Sequence, residues 1–262
     1  MDVTQEFTAD WAPPILTVTI HRGKANAIDA ATSRKLGETF QQFRDDSDYR
    51  AAIITGGGER FFSAGWDLDA AASGEAYESD YGLGGFGGFA ELPELNKPVI
   101  AAVNGIAAGG GFEMMLAADL VLAADHAEFL LPEARRGIVP DVGLVRLPQM
   151  LPRVIAVEIL LGTRRLTADE ALHFGLVNKV VPIDRLMDEA VALAATVAAA
   201  APLSVAAILD VIRRTIHMSP EAGLAMMREG EFPSYRAAID SADATEGVKA
   251  FTEKRSPNWQ GR

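Results

Sequence analysis

Three carboxylates stand out as groups that could do chemistry: Glu113, Glu133 and Asp141. Glu113 and Glu133 follow turns at comparable distances from the ends of strand-like runs. Carboxylates crowded into a dry pocket cannot all ionise cheaply, so at least one keeps its proton near neutral pH and the set offers both an acid and a base. Two segments, Ser63-Ala64-Gly65 and Gly109-Gly110-Gly111, could supply complementary donors. Glycine allows a sharp turn and close approach of a ligand to the backbone. The first N–H groups of a helix lack intrahelical partners and sit at the positive end of its dipole. If the two segments converge, their amides form a cradle for an oxyanion. Spacing alone leaves a plainer reading open, a glycine turn with a solvated glutamate at a helix start.

Other chemistries find little support. The chain has no cysteine, which removes disulfides, thiolate metal sites and thiol nucleophiles. No G-x-S-x-G or P-loop occurs, and His21, His126, His173 and His217 show no ligand spacing. Gly82-Leu83-Gly84-Gly85-Phe86-Gly87 fits G-x-G-x-x-G, but it neither follows a strand nor opens a helix, so it is not read as a dinucleotide site. Neither a metal nor a cofactor is expected.

The donors and carboxylates need elements to hold them. Ile15–Ile20, Ala51–Thr55, Leu120–Ala124, Glu128–Leu131 and Lys179–Val181 read as strands, and Lys97 to Val103 opens a buried one. A helix after Asp29 carries Leu36, Phe40 and Phe43, and Thr167 with Glu170 forms a capping box. From Ser73 to Glu94 periodicity fails, and the stretch reads as a mobile loop able to act as a lid. Beyond Pro182 four helices are expected, at 185–201, 203–215, 220–239 and 243–251. Strands alternating with helices imply a largely parallel, helix-covered α/β architecture. The expected division is a core over 1–200 and a helical region over 201–262.

The 262 residues suit one large domain or one domain with an appendage. A formal charge of -12 argues against a nucleic-acid partner or an anionic membrane surface. The N-terminal Met1 to Glu6 lacks the pattern of a secretory leader, and the alanine-rich run 190–201 is too short to span a bilayer. A cytoplasmic setting is the resulting expectation.

Taken together, these motifs resemble the crotonase (enoyl-CoA hydratase/isomerase) superfamily. The resemblance rests on Lys24-Ala25-Asn26-Ala27-Ile28, Phe62 to Leu68, Lys97 to Gly105, Gly109 to Glu113, Phe129 to Glu133, Gly137 to Pro140, Gly175 to Asn178 and Glu246 to Arg255. It implies a crotonase-like spiral of ββα units with a C-terminal helical oligomerisation region that builds trimers or dimers of trimers. It implies Glu113 and Glu133 as catalytic residues and the amides of Ala64 and Gly110 as the oxyanion hole. It implies an acyl-CoA thioester substrate held by Lys24, Ala25, Ala27, Ile28, Ala64, Asp67 and Leu68, with Phe251 and Lys254 reaching the coenzyme from a neighbouring subunit. Within the superfamily the chain is most similar to the branch acting on carnitinyl thioesters, whose trimethylammonium group an aromatic face and a carboxylate would favour. Trp66 and Asp141 could provide these, although Trp66 could instead pack behind the turn and Asp141 could cap a helix. Phe251 and Lys254 could likewise be a packed helix end. Double-bond isomerisation on the same scaffold, or a non-catalytic RNA-binding role, are the alternatives. One departure from the family pattern lies at Pro140 to Arg146, one residue shorter and without a second glycine.

Overall fold

The computed structural model describes residues 6–262, so all but Glu6 of the N-terminal stretch read against a secretory leader lies outside the described residues. The chain opens with β1 (Phe7–Ala12) antiparallel to β2 (Ile15–Ile20), followed by α1 (Ala30–Asp45). The reading from sequence missed β1, in which partly buried Phe7, Ala9 and Trp11 alternate without a break with exposed Thr8, Asp10 and Ala12 before Pro13-Pro14 closes the strand. Asp29 caps α1 by accepting from the Thr32 N–H at 2.8 Å, and Leu36, Phe40 and Phe43 form its buried stripe, as their spacing requires. Lys97 fastens the other end, donating to the carbonyls of Phe43 and Asp46 at 2.8 and 2.6 Å.

Three windings then repeat one plan. The first is β3 (Ala51–Gly56), β4 (Phe61–Ser63) and α2 (Leu68–Ala72). The second is β5 (Val99–Val103), β6 (Ile106–Ala108) and α3 (Gly110–Ala117). The third is β7 (Leu120–Ala124), β8 (Glu128–Leu130) and a single 3₁₀ turn at Glu133–Arg136. The first strand of each winding joins a six-stranded sheet of order β1-β2-β3-β5-β7-β10, and the second joins a four-stranded sheet of order β4-β6-β8-β9. This is the expected ββα spiral. Within it lie α4 (Asp141–Met150), α5 (Arg153–Leu160), β9 (Leu166–Thr167), α6 (Ala168–His173) and β10 (Lys179–Val181).

The central strands of the large sheet, β3, β5 and β7, are almost wholly apolar because both their faces are covered. Leu16, Val18, Ala52, Ile54 and Val99 face the second sheet and its aromatic filling, Phe62, Phe112 and Phe129. Ile53, Ile100 and Leu122 face α7 (Ile183–Ala198), which offers Leu186, Ala190 and Ala194 at four-residue spacing. Truncating one of the buried phenylalanines to alanine would cost about 3–5 kcal/mol. Asn104 ties consecutive windings together, accepting from Gly56 N–H at 2.9 Å and donating to the Gly58 carbonyl at 2.7 Å.

The C-terminal helices are α8 (Pro202–Thr215), α9 (Pro220–Glu229), α10 (Pro233–Ile239) and α11 (Ala242–Glu253). The helix expected over 220–239 is thus two: Gly230 takes a left-handed conformation as the first ends, and Pro233 starts the second. No single helix among the described residues is long and apolar enough to cross a membrane. The stretch 73–94 is irregular, as expected, but not loose along its whole length. Phe89 and Leu92 are buried in the core, and Gly88 packs so closely on α1 that an added Cβ would lie 2.4 Å from the Gly37 nitrogen.

Candidate active site

The three glycines after β6 build the first half of the site. Gly109 turns the chain with φ +55°, a conformation costly for any residue with a Cβ, and a Cβ there would also lie 2.8 Å from Oε1 of Glu133. The turn frees the Gly110 N–H, which has no acceptor among the described residues, and starts α3. One turn along, Glu113 enters the interior with 7% of its surface exposed, and its Oε1 accepts the Gly143 N–H at 2.8 Å. Burial pushes its pKa up to about 7, with the nearby charge of Glu133 adding to the effect.

Glu133 follows β8 and Pro132 at the head of the 3₁₀ turn, 5% exposed. Burial raises its pKa, while the charge of Arg136 opposes the rise. Its Oε2 is buried without a hydrogen-bond partner among the described residues, so no protein group competes for a proton there. Both carboxylates, with Gly109 and Gly110, open into one narrow cleft of about 40 Å³. The set can hold one shared proton beside a polarised carbonyl.

The amide expected as the second oxyanion donor, that of Ala64, is already occupied. The Ala64 N–H is consumed by the Ala25 carbonyl at 2.9 Å, and the Gly65 N–H bonds Ser63 Oγ at 3.1 Å. The Trp66 N–H has no acceptor among the described residues. Its neighbours Gly65 and Asp67 pair with Ile28, so its own amide faces the other way. Gly65 lies against the glycine turn so tightly that a Cβ on it would sit 2.5 Å from the Gly110 nitrogen. The amides left without a partner on these two touching turns are therefore those of Trp66 and Gly110, and the Ala64 N–H serves as the stitch that holds the turn. Sequence spacing could not reveal this, because the partner that occupies Ala64 comes from a loop almost forty residues earlier.

That loop, Lys24 to Ile28, is stitched to the turn Ala64 to Leu68, but Ile28 itself is fully buried in the core and offers no surface to a coenzyme, contrary to the expectation. The Ile28 N–H donates to the Gly65 carbonyl at 2.8 Å, and Ser63 Oγ donates to the Asn26 carbonyl at 2.7 Å. Arg22, a residue the sequence reading passed over, bridges Asp29 and Asp67 and donates to the Ala27 carbonyl at 2.8 Å. Both carboxylates are held below the usual range, chiefly by hydrogen bonds and by the Arg22 charge, which overcome their partial burial. Lys24 and Leu68 are exposed.

Asp141 does not cap α4. Pro140 occupies the cap position and Asp141 is the first helical residue, on the rim of the cleft, its pKa raised by partial burial and by Glu78. Trp66 also lines the cleft. Phe251 and Lys254, at the end of α11, are not among the residues lining it, and Phe251 is 85% exposed. The wall contains five residues that the sequence reading did not select, Tyr77, Tyr81, Phe86, Arg136 and Ile138. The three aromatic ones lie in the aperiodic stretch; their density there among glycines was the available signal. No group of three or more His, Cys, Asp or Glu among the described residues is arranged to hold a metal ion.

Residues 12–262 match the family model described as enoyl-CoA hydratase/isomerase. A carnitinyl-CoA dehydratase of Salmonella arizonae is 56% identical over 249 residues, 95% of each chain. One from Proteus mirabilis is 55% identical over 249 residues, again 95% of each. Among solved structures, an enoyl-CoA hydratase of Mycobacterium tuberculosis superposes with a TM-score of 0.89 at 39% identity, covering 98% of this chain and 99% of the other.

Proposed function

The chain belongs to the enoyl-CoA hydratase/isomerase family, and from that premise we propose that it is a hydro-lyase interconverting a 3-hydroxyacyl-CoA and a 2-enoyl-CoA, with carnitinyl-CoA and crotonobetainyl-CoA as its pair. One observation carries the reading: two buried carboxylates open into the same cleft as two amides without acceptors. The carnitinyl assignment draws on the names of the relatives that are more than half identical.

In dehydration, the Glu133 carboxylate takes the α-proton. The electron pair moves toward the thioester carbonyl, and the growing charge on its oxygen is met by the N–H groups of Trp66 and Gly110. One donor of this kind is worth about 2.7–4 kcal/mol of barrier. Protonated Glu113 gives its proton to the β-hydroxyl, which leaves as water while the α,β double bond forms. Hydration runs these steps backward. The surface of Lys24, Ala25, Ala27, Asp67 and Leu68 carries the coenzyme moiety, and no separate cofactor takes part. Residues 1–200 form the catalytic core in a cytoplasmic protein. Residues 201–262 assemble trimers or dimers of trimers, in which Phe251 and Lys254 reach the coenzyme on a neighbour.

The test is an assay of crotonyl-CoA, a longer enoyl-CoA and crotonobetainyl-CoA, following loss of the conjugated thioester absorbance. Hydration of crotonyl-CoA and preference for the charged substrate are expected. Glu113→Gln and Glu133→Gln should each cripple turnover while sparing binding of coenzyme A. Near-normal hydration by either variant would overturn the assignment of roles, and a shifted double bond without water uptake would favour isomerisation.

A further inference from the structure

Resting on the hydratase reading, we infer that Trp66, Tyr77 and Tyr81, with Asp141 at the mouth, form a subsite that grips a quaternary ammonium head at the far end of the acyl group. The rings stand around one cavity. Trp66 and Tyr77 meet edge to face at 5.3 Å between centroids, and Tyr81 meets Phe86 at 5.5 Å. Phe86 in turn lies against Gly110, where an added Cβ would be 2.4 Å from its ring, so the aromatic wall begins beside the oxyanion donor.

The polar tips of these rings are turned outward and used up. Tyr77 donates its hydroxyl to the Val139 carbonyl at 2.6 Å, Tyr81 donates to the Tyr77 carbonyl at 2.7 Å, and the Trp66 indole N–H donates to Glu75 at 2.8 Å. What remains for a ligand is π-surface. Glu75 is fixed in place, since it also accepts the Ala30 N–H at the start of α1. A carboxylate on the indole N–H polarises the ring and makes its face more electron-rich.

Charge points the same way. The cleft is lined by Glu113, Glu133 and Asp141 against one basic residue, Arg136. Burial raises the pKa of Tyr77, and the three carboxylates, within reach of it, add to the rise. A hydrocarbon tail would call for aliphatic walls, and the cleft offers three aliphatic side chains, Ala64, Leu68 and Ile138, one of them a single methyl. A compact cation that is too methylated to donate hydrogen bonds suits aromatic faces and a nearby negative charge. The cavity of about 40 Å³ holds only about three waters. Admission of the head therefore requires the wall to move outward.

The test compares kcat/KM for crotonobetainyl-CoA with that for its neutral isostere 5,5-dimethylhex-2-enoyl-CoA, in which carbon replaces nitrogen. The parent enzyme should favour the charged substrate at least tenfold. Tyr77→Leu should lower the ratio about tenfold, and Asp141→Asn, on the solvent-reached rim, about threefold. Tyr77→Phe, which keeps the ring and loses the hydroxyl, should hold the ratio within about twofold. An unchanged ratio in both Tyr77→Leu and Asp141→Asn overturns the subsite. A parent enzyme that hydrates crotonyl-CoA but shows no preference between the isosteres overturns it too, while leaving the hydratase reading in place. A parent enzyme that hydrates none of the three overturns both.

Discussion

Glu113 is held in an interior that disfavours its charge by burial and nearby Glu133, while the Gly143 N–H favours it. Hydration needs Glu113 ionised and Glu133 protonated; dehydration needs the reverse. These are two arrangements of one shared proton, so kcat/KM in the two directions should trace a single bell-shaped pH profile. Its alkaline limb should lie near pH 7, where the pair loses its last proton. Steady-state rates measured both ways between pH 5 and 9 check this; profiles that fail to superimpose would refute the shared-proton account. The same residue also burdens the fold. Its pKa in the folded chain is raised from the ordinary 4.5 to about 7, so stability is lost as pH climbs through that interval and then levels off. Glu113→Gln, which can still accept from Gly143, should gain about 3 kcal/mol at pH 8.5 and almost nothing at pH 4.5. Denaturant titrations at the two pH values would reveal it, and equal gains at both would contradict the argument.

At the scale of elements, the site is a meeting of two strand-to-helix turns from consecutive windings. Gly65, with φ +80°, is where they touch. Gly65→Ala would force a methyl onto the Gly110 amide, and kcat/KM should fall by at least about 100-fold, with the far-UV circular dichroism of the parent largely kept. Retained activity would mean that the amides do not bind the reacting oxygen. The second winding was readable in the sequence because Gly109 to Glu113 are neighbours in the chain, and a local turn suffices to join glycine to carboxylate. The first was readable only to within two residues. Choosing Trp66 over Ala64 requires knowing that Ala25 has already claimed the Ala64 N–H, which is a tertiary fact. Tyr77, Tyr81 and Phe86 escaped because they sit on no periodic element, and Arg22 because its two acidic partners are 7 and 45 residues away. The break between α9 and α10 was written in Gly230 and Pro233, but the helical composition on either side masked it.

Across the whole molecule, the core is closed on both faces and the C-terminal helices are not. Ile208, Ile212 and Ile216 stand exposed along α8, and Val248 and Phe251 along α11. So much uncovered apolar surface is unusual unless a partner buries it. Ile212→Asp should therefore yield smaller particles by light scattering than the trimer or hexamer expected of the parent. If Phe251 and Lys254 serve a neighbour's coenzyme, the KM for acyl-CoA should rise with dissociation; a fully active monomer would exclude that arrangement.

The stretch from Ser73 to Leu95 lies between two windings of the spiral. Its second half is anchored by Phe89, Leu92 and Leu95, and its first half looks into the cleft. Such an insert is a cassette. On the proposed reading, the scaffold on either side, with Trp66 and Asp141, fixes which bond is made and broken and holds two walls of the subsite, while the cassette supplies the rest of its aromatic lining. A new palate can thus be fitted by exchanging a dozen residues, without retuning the proton relay behind it.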